Sequence, residues 1–192
     1  MEGARAVQQS FSMNGRKLSE LESCVLGVIR RTQPCTGYSV RKVFQQSLTT
    51  TWSASTGAIY PLLKKLTAEG LIAADADALD GRGGRRLLVT AKGDDALRAW
   101  LTETDRSIGL PAADLIRTRS YLLSLIDEAA QRRLIDEWRT ATSTTLAAVR
   151  ELGQITKDVP PDRIAFRGSE LQLEARLQWL DELAGEIGAS KP

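Results

Sequence analysis

The spacing of apolar residues changes character at Gly70. Upstream, leucine, valine and isoleucine recur three and four apart, the stripe of an amphipathic helix. Downstream come two short strand candidates, Leu71–Ala76 and Arg85–Thr90, separated by the glycine-rich run Asp80-Gly-Arg-Gly-Gly84, which suits a hairpin tip. Helices that lead into a hairpin, followed by another helix, predict a winged helix-turn-helix over roughly Leu18–Glu103.

The upstream helices can be placed from local signals. Ser19-x-x-Glu22 is a capping-box pattern, in which hydroxyl and carboxylate satisfy orphan backbone donors. Leu18, Leu21, Val25 and Ile29 follow it, so Ser19–Arg31 reads as a helix with one buried stripe. Gln33-Pro-Cys-Thr-Gly37 stops it. Tyr38–Gln46 then forms a short helix with Val40, Val43 and Phe44 inward and Arg41 and Lys42 outward. After a polar turn holding Trp52, a third helix runs from Ser55 to Glu69 on Ile59, Leu62, Leu63 and Leu66. Gly70 falls where a left-handed C-terminal cap belongs. Pro61 comes late for a first-turn proline, so an irregular or kinked start is expected. Thr90 can cap a fourth helix that carries Leu97, Trp100 and Leu101; Trp52 and Trp100 read as core.

Ser107–Pro111 reads as a joint, with Gly109 and Pro111 as breakers. Beyond it the chain is all helix. Leu134, Ile135, Trp138, Thr142, Leu146, Val149 and Leu152 make one long stripe, which Pro160-Pro161 breaks. Leu173, Leu177, Leu180, Ala184 and Ile187 then repeat at 4-3-4-3 spacing, the seam of a helix meeting a partner. Core packing within one chain is the alternative, but so few helices have little to pack on. Trp138, Leu146, Val149, Leu173, Leu177, Trp179, Leu180 and Ile187 are therefore expected at a homodimer interface, the two tryptophans anchoring it or lining an effector pocket. The fold class is mainly α: a flexible N-terminal arm (1–17), a winged helix-turn-helix with a small two-stranded β wing (18–106), and an all-helical dimerisation domain (111–188).

Composition narrows the chemistry. There is no histidine, and Cys24 and Cys35 are the only cysteines, with no zinc or redox spacing. Cys24 fits a core position and Cys35 reads as incidental. Without histidine the usual base for a Ser or Cys nucleophile is missing, so catalysis, a metal or a cofactor is not expected. Gly81-Arg-Gly-Gly84 lacks the Gly-Lys-Ser/Thr of a P-loop. No apolar run approaches the ~20 residues of a membrane span and no signal peptide is evident, which favours a cytoplasmic address. The net charge is only +2, but residues 1–110 hold 15 Lys/Arg against 11 Asp/Glu while the remainder holds 11 against 13. A basic excess in the winged-helix half is the weak form of a nucleic-acid footprint.

In a helix-turn-helix the second helix enters the major groove with its N-terminal residues nearest the bases. Here those are Ser55, Thr56, Gly57, Ala58 and Tyr60. Small residues allow close approach, hydroxyls can meet base edge or phosphate, and Ala58 or the Thr56 methyl can touch a thymine methyl. Lys64 and Lys65 add charge one turn on; Tyr38, Arg41 and Lys42 are candidates from the preceding helix. Arg82, Arg85 and Arg86 form a second basic cluster at the hairpin, where a glycine-flanked arginine suits a minor groove or backbone. A protein–protein adaptor built on a winged helix is the alternative, against which the basic helix and wing argue.

Taken together, Leu18-Ser-Glu-Leu-Glu22, Leu26-Gly27, Gly37-Tyr38, Trp52, Ser55-Thr-Gly-Ala-Ile-Tyr-Pro61, Leu63-x-x-Leu66, Glu69-Gly-Leu-Ile72, Arg85-Arg86, Thr90-x-x-Gly93 and Trp100-Leu101 resemble the PadR family of bacterial transcriptional regulators. The resemblance implies a transcription factor, commonly a repressor, that binds a double-stranded, pseudo-palindromic DNA operator as a homodimer through a helical C-terminal region. It also implies tolerance of Pro61. Some members respond to phenolic compounds or drugs, so a small-molecule effector is an expected further partner. Leu87 departs from the aromatic often found in the second wing strand.

Overall fold

A computed structural model describes residues 17–48, 52, 55–79, 85–104 and 109–189. The chain divides into two compact units, Met1–Asp105 and Arg106–Pro192.

In the first unit, α1 (Glu20–Thr32) opens on the expected box: Ser19 Oγ accepts from the Glu22 N–H, and Glu22 Oε2 accepts from the Ser19 N–H at 2.8 Å. Its burial is wider than one stripe, with Val25, Leu26 and Ile29 fully enclosed together with Ser23. The reason is position: among the described residues, α1 touches three further helices of the unit and a strand. The sequence Cys35–Thr36 forms a short strand, β1, and α2 follows over Gly37–Gln45. Thr36 caps α2, its Oγ1 accepting from the Ser39 N–H at 3.1 Å while Ser39 Oγ accepts from the Thr36 N–H at 2.9 Å. The helix therefore starts at Gly37 rather than Tyr38, because Thr36 is a cap rather than a breaker.

The third helix has the irregular start that Pro61 demands. Ser55–Ala58 is a 3₁₀ turn, and α3 proper runs Ile59–Ala68. Pro61 thus occupies the first turn of α3, where a missing N–H leaves no hydrogen bond unmade. Gly70 takes φ +71°. The Leu71 N–H reaches the Leu66 carbonyl at 2.9 Å and the Gly70 N–H the Thr67 carbonyl at 3.0 Å, the paired bonds of a Schellman cap. Leu66 and Leu71 both sit in the core.

Strands β2 (Ile72–Leu79) and β3 (Arg85–Val89) pair antiparallel, Ile72 opposite Val89 and Ala74 opposite Leu87, with an irregularity between Ala74 and Leu79. The sheet has three strands, not the expected two, in the order β1-β3-β2. Cys35 pairs with Leu87 and Thr36 with Arg86, a long-range pairing that two residues among turn formers do not announce. Gln33 adds to it, its side-chain oxygen accepting from the Val89 N–H at 2.8 Å. Helix α4 (Ala91–Thr102) is capped by Thr90 through the Gly93 N–H. Around Phe44, Leu26, Ile29, Ile59, Leu66 and Ile72 the core closes, with Trp52 packed on it and stacked on Phe44 at 4.6 Å between ring centroids. Trp100 is half-buried and Leu101 exposed, so α4 contributes mainly Ala96 and Leu97 to the core.

The second unit comprises α5 (Leu115–Ser120), a 3₁₀ turn at Leu123–Leu125, α6 (Glu128–Ile155) and α7 (Pro160–Ala189). Asp114 caps α5 and Asp127 caps α6. The long helix ends at Ile155, ahead of the prolines as expected, and Pro160-Pro161 open the next one, where a first-turn proline is at home. Helices α6 and α7 form an antiparallel hairpin, pinned by Arg139–Asp181 at 2.7 Å and by Arg150 reaching Glu170 and Glu174 at 2.7 and 2.6 Å. Its core holds Leu123, Ile135, Trp138 and Leu180.

Candidate nucleic-acid interface

Helices α2 and α3 are the two limbs of the helix-turn-helix. Their first residues lie together: a Cβ placed on Gly37 would come within 3.3 Å of Tyr60 Cε1 and 3.0 Å of Leu63 Cδ1. The bare backbone of Gly37 is thus the bed on which the Tyr60 ring rests. Half of Tyr60 (51%) and more of Tyr38 (65%) remain open to solvent. Gly57, Ala58 and Lys64 are exposed beside them, Ser55 and Thr56 half-buried. On α2, Lys42 is exposed and Arg41 half-buried.

Neither Ser55 nor Thr56 caps α3. Its N-cap is Ala58, which offers no side-chain acceptor. The stripe Ile59, Leu63 and Leu66 faces the core, which leaves the opposite side of α3, with Tyr60 and Lys64, turned outward.

Lys65 does not belong with Lys64. Its ammonium lies 2.9 Å from Glu22 Oε1, and the Glu22 side chain is only 3% exposed. The two lysines thus differ in their surroundings: the Lys65 side chain, half exposed, is paired with a buried carboxylate. Glu22 was legible as half of a capping box, but its second oxygen finds Lys65 across the fold, and no sequence spacing reports that. Gly37 was missed as a site residue for the same reason.

At the wing, Arg85 is exposed and Arg86 half-buried. By strand alternation Arg85 shares a face with Leu87 and Val89, which pack on the core, and Arg86 takes the other face. Arg82 lies outside the described residues, as do Gly81, Gly83 and Gly84. Burial pushes the Cys24 and Cys35 thiols up from their ordinary value, with the Glu20 charge adding at Cys24. Cys35 is a buried strand residue.

The residues expected at a homodimer interface divide. Trp138, Leu146, Val149 and Leu180 are buried within the single chain. The α6–α7 hairpin encloses them within one chain, Trp138 and Leu180 in its core cluster, which is the alternative of core packing within one chain for these four residues. Leu173, Leu177, Trp179 and Ile187 are half-buried. The open apolar side chains of this unit are others, among them Leu115, Tyr121, Leu122, Leu125, Ile164 and Leu171.

Among the described residues no helix is long and apolar enough to cross a membrane, and no group of His, Cys, Asp and Glu is placed to hold a metal ion. Residues 25–99 match the model of the transcriptional regulator PadR-like family. The negative transcriptional regulator PadR of Bacillus subtilis is 29% identical over 107 residues, which are 55% of this chain and 58% of that protein's length. The fold is shared more widely than the sequence. The crystal structure of Bacillus subtilis PadR in complex with operator DNA superposes with a TM-score of 0.76 over 90% of this chain and 99% of that one, at 20% identity. Its complex with p-coumaric acid gives 0.71 over 88% and 98%, at 21% identity. Over residues 25–99, within its winged-helix domain, the chain is similar to the transcriptional regulator PadR-like family.

Proposed function

We propose that this protein is a cytoplasmic, non-enzymatic repressor that binds a pseudo-palindromic DNA operator as a homodimer. The observation that carries the reading is the outward face of α2 and α3, where Tyr38, Lys42, Tyr60 and Lys64 stand exposed around the small residues Gly57 and Ala58. Such a face combines close approach with phosphate contacts, which position a reading helix on the duplex. Ser55, Thr56 and Arg41 flank it, and Arg85 or Arg86 extends it at the wing. The DNA complex of Bacillus subtilis PadR supports this choice of partner, and that relative's description as a negative regulator supports the sign.

Two copies double the reading surface. With Trp138, Leu146, Val149 and Leu180 enclosed in each chain, the partner covers apolar side chains that remain open or half-open, Leu171, Leu173, Leu177, Trp179 and Ile187 among them. A small phenolic acid is the effector class to test, following the p-coumaric acid complex of the relative. An effector that favours one spacing of the two heads would release the operator through linkage.

The test is recovery of bound duplexes from a random-sequence library, then titration of Tyr60→Phe and Lys64→Ala on the duplex recovered. We expect both variants to bind more weakly, and Lys64→Ala to flatten the log–log salt dependence by about 1. A footprint without two-fold character removes the paired-reader geometry. Absence of salt-dependent affinity for any duplex removes the DNA reading altogether.

A further inference from the structure

We propose that Gly57 is a specificity-determining residue: its missing side chain sets how deeply the reading helix enters the groove, and so whether base edges come within reach. The inference rests on the DNA-binding reading and assigns a role within it. The glycines of the winged-helix unit differ in what surrounds them. A Cβ on Gly37 would press on Leu63 and Tyr60, one on Gly93 on the Leu71 carbonyl, and Gly70 takes φ +71°. A Cβ on Gly27 would rest in ordinary contact with Leu97 Cδ1, at 3.9 Å. Each of these answers to its own chain. Gly57 is exposed, its φ is not positive, and among the described residues a Cβ there would meet nothing within 4 Å. The fold would therefore accept alanine, which a helical backbone prefers to glycine. What glycine keeps clear at this position is the space outside the chain.

The neighbours of Gly57 identify what occupies that space. Gly57, Tyr60 and Lys64 follow at spacings of three and four, so they share one face of the 3₁₀ turn and α3. The stripe Ile59, Leu63 and Leu66 packs the other side on the core. Along the outward face the N-terminal end is bare, and Tyr60 and Lys64, one and two turns on, are long and exposed. Ala58 is exposed beside Gly57, and Ser55 and Thr56 are short. A helix that meets the major groove with its N-terminal residues nearest the bases needs that taper. The bare end goes deepest, and the longer side chains reach back to the phosphates on the rim. Glycine is the residue that lets a backbone come closest to a ligand. A methyl group at this position would stand between the turn and the base edges and hold the helix off by its own size. The phosphate contacts, made by long flexible side chains, would still form. Bulk at Gly57 therefore removes selectivity, whereas the charge of Lys64 supplies affinity for any duplex.

The experiment titrates the full chain on a duplex recovered by the wild type and on a scrambled duplex of equal length, each across a salt series, with thermal melts of the same proteins. Gly57→Ala is expected to melt no lower than wild type and to bind the recovered duplex about tenfold more weakly, the scale of one lost base contact. Its affinity for the scrambled duplex and its salt slope should stay at the wild-type values, because no charge has been removed. Gly57→Leu should extend the loss to about a hundredfold, near the upper cost of one mismatched pair, with the slope again unchanged. Gly27→Ala, a glycine change in the same unit on the side that faces α4, should bind both duplexes as the wild type does. Lys64→Ala gives the opposite signature, a slope lower by about 1 on both duplexes. Wild-type affinity of Gly57→Ala for the recovered duplex overturns the proposal, and so does an equal loss on the scrambled duplex. A lower melting temperature of Gly57→Ala means that the fold itself requires this glycine, and overturns it too. A wild-type protein without salt-dependent binding overturns the DNA reading and this assignment with it. That failure is recognisable because the wild type is then itself silent.

Discussion

Gly93 lies in the first turn of α4, where helix propensity favours alanine over glycine by up to ~1 kcal/mol. The structure predicts the opposite sign. A Cβ at this position would stand 2.2 Å from the Leu71 carbonyl oxygen and 2.8 Å from Val89 Cγ1. A carbon and a carbonyl oxygen rest at roughly 3.3 Å or more, so α4 and the Gly70-Leu71 corner would have to part by about 1 Å. That corner is bonded to the start of α4. The Thr90 N–H donates to the Leu71 carbonyl at 3.1 Å, and Thr90 Oγ1 donates to the Gly70 carbonyl at 2.8 Å. Overpacking costs about 1–3 kcal/mol, and a weakened threonine cap adds about 1. Against the propensity gain, Gly93→Ala should lose about 1–3 kcal/mol. Gly27 is the control, since a Cβ in mid-α1 meets nothing nearer than Leu97 Cδ1 at 3.9 Å, and Gly27→Ala should be neutral or stabilising. Thermal melts followed by circular dichroism read both. At about 2–4 °C per kcal/mol for a chain of this size, Gly93→Ala should melt on the order of 2–12 °C lower and Gly27→Ala no lower than wild type. Gly93→Ala melting at or above the wild-type temperature would refute the steric reasoning.

Three other perturbations separate local from tertiary causes. Ser23 is fully buried in α1 and its hydroxyl has no hydrogen-bond partner among the described residues, so Ser23→Ala should raise the midpoint of urea unfolding by the equivalent of about 0.5–1 kcal/mol; a lowered midpoint would show the hydroxyl to be satisfied. Gly70→Ala forces a Cβ into φ +71° and should cost about 1–2 kcal/mol in the same assay, with no effect on m; no loss would mean that the corner relaxes freely. At Asp114, burial pushes the carboxyl up, but hydrogen bonds from the Arg117 and Ile116 N–H groups and the Arg176 charge outweigh it and hold the group below its usual range. A lowered folded-state value stabilises above the unfolded value near 3.9, and that stability is lost as pH falls through the folded value. The melting gap between wild type and Asp114→Asn should therefore be full above about pH 5 and narrow below pH 4; a gap that widens on acidification contradicts the assignment.

What could be read from sequence was what neighbours in sequence decide. Ser19 with Glu22 fixes the start of α1, Gly70 the end of α3, and Thr90 the start of α4, because each cap is closed within a few residues. Pro61 announced an irregular entry into α3 without saying that a 3₁₀ turn would supply it. The residues that escaped depend on distant partners. Cys35 and Thr36 become a strand only because β3 arrives beside them, and Lys65 differs from Lys64 only because Glu22 lies across the fold. The stripe through Trp138 and Leu180 has the same periodicity whether a helix of the same chain or of another covers it. Periodicity reports that a face is buried, not by whom.

The side-chain oxygen of Gln33 on the Val89 N–H has a consequence for how the protein behaves in concentrated solution. An open strand edge is a template for pairing with another molecule. In this sheet β3 lies between β1 and β2, and where β1 stops at Cys35, Gln33 supplies a further acceptor and so extends the cover. The outer edge of β1 is too short to template a partner. The outer edge of β2 carries Asp75, and like charges brought edge to edge repel. The described part of the wing sheet thus offers little of its backbone to a second wing.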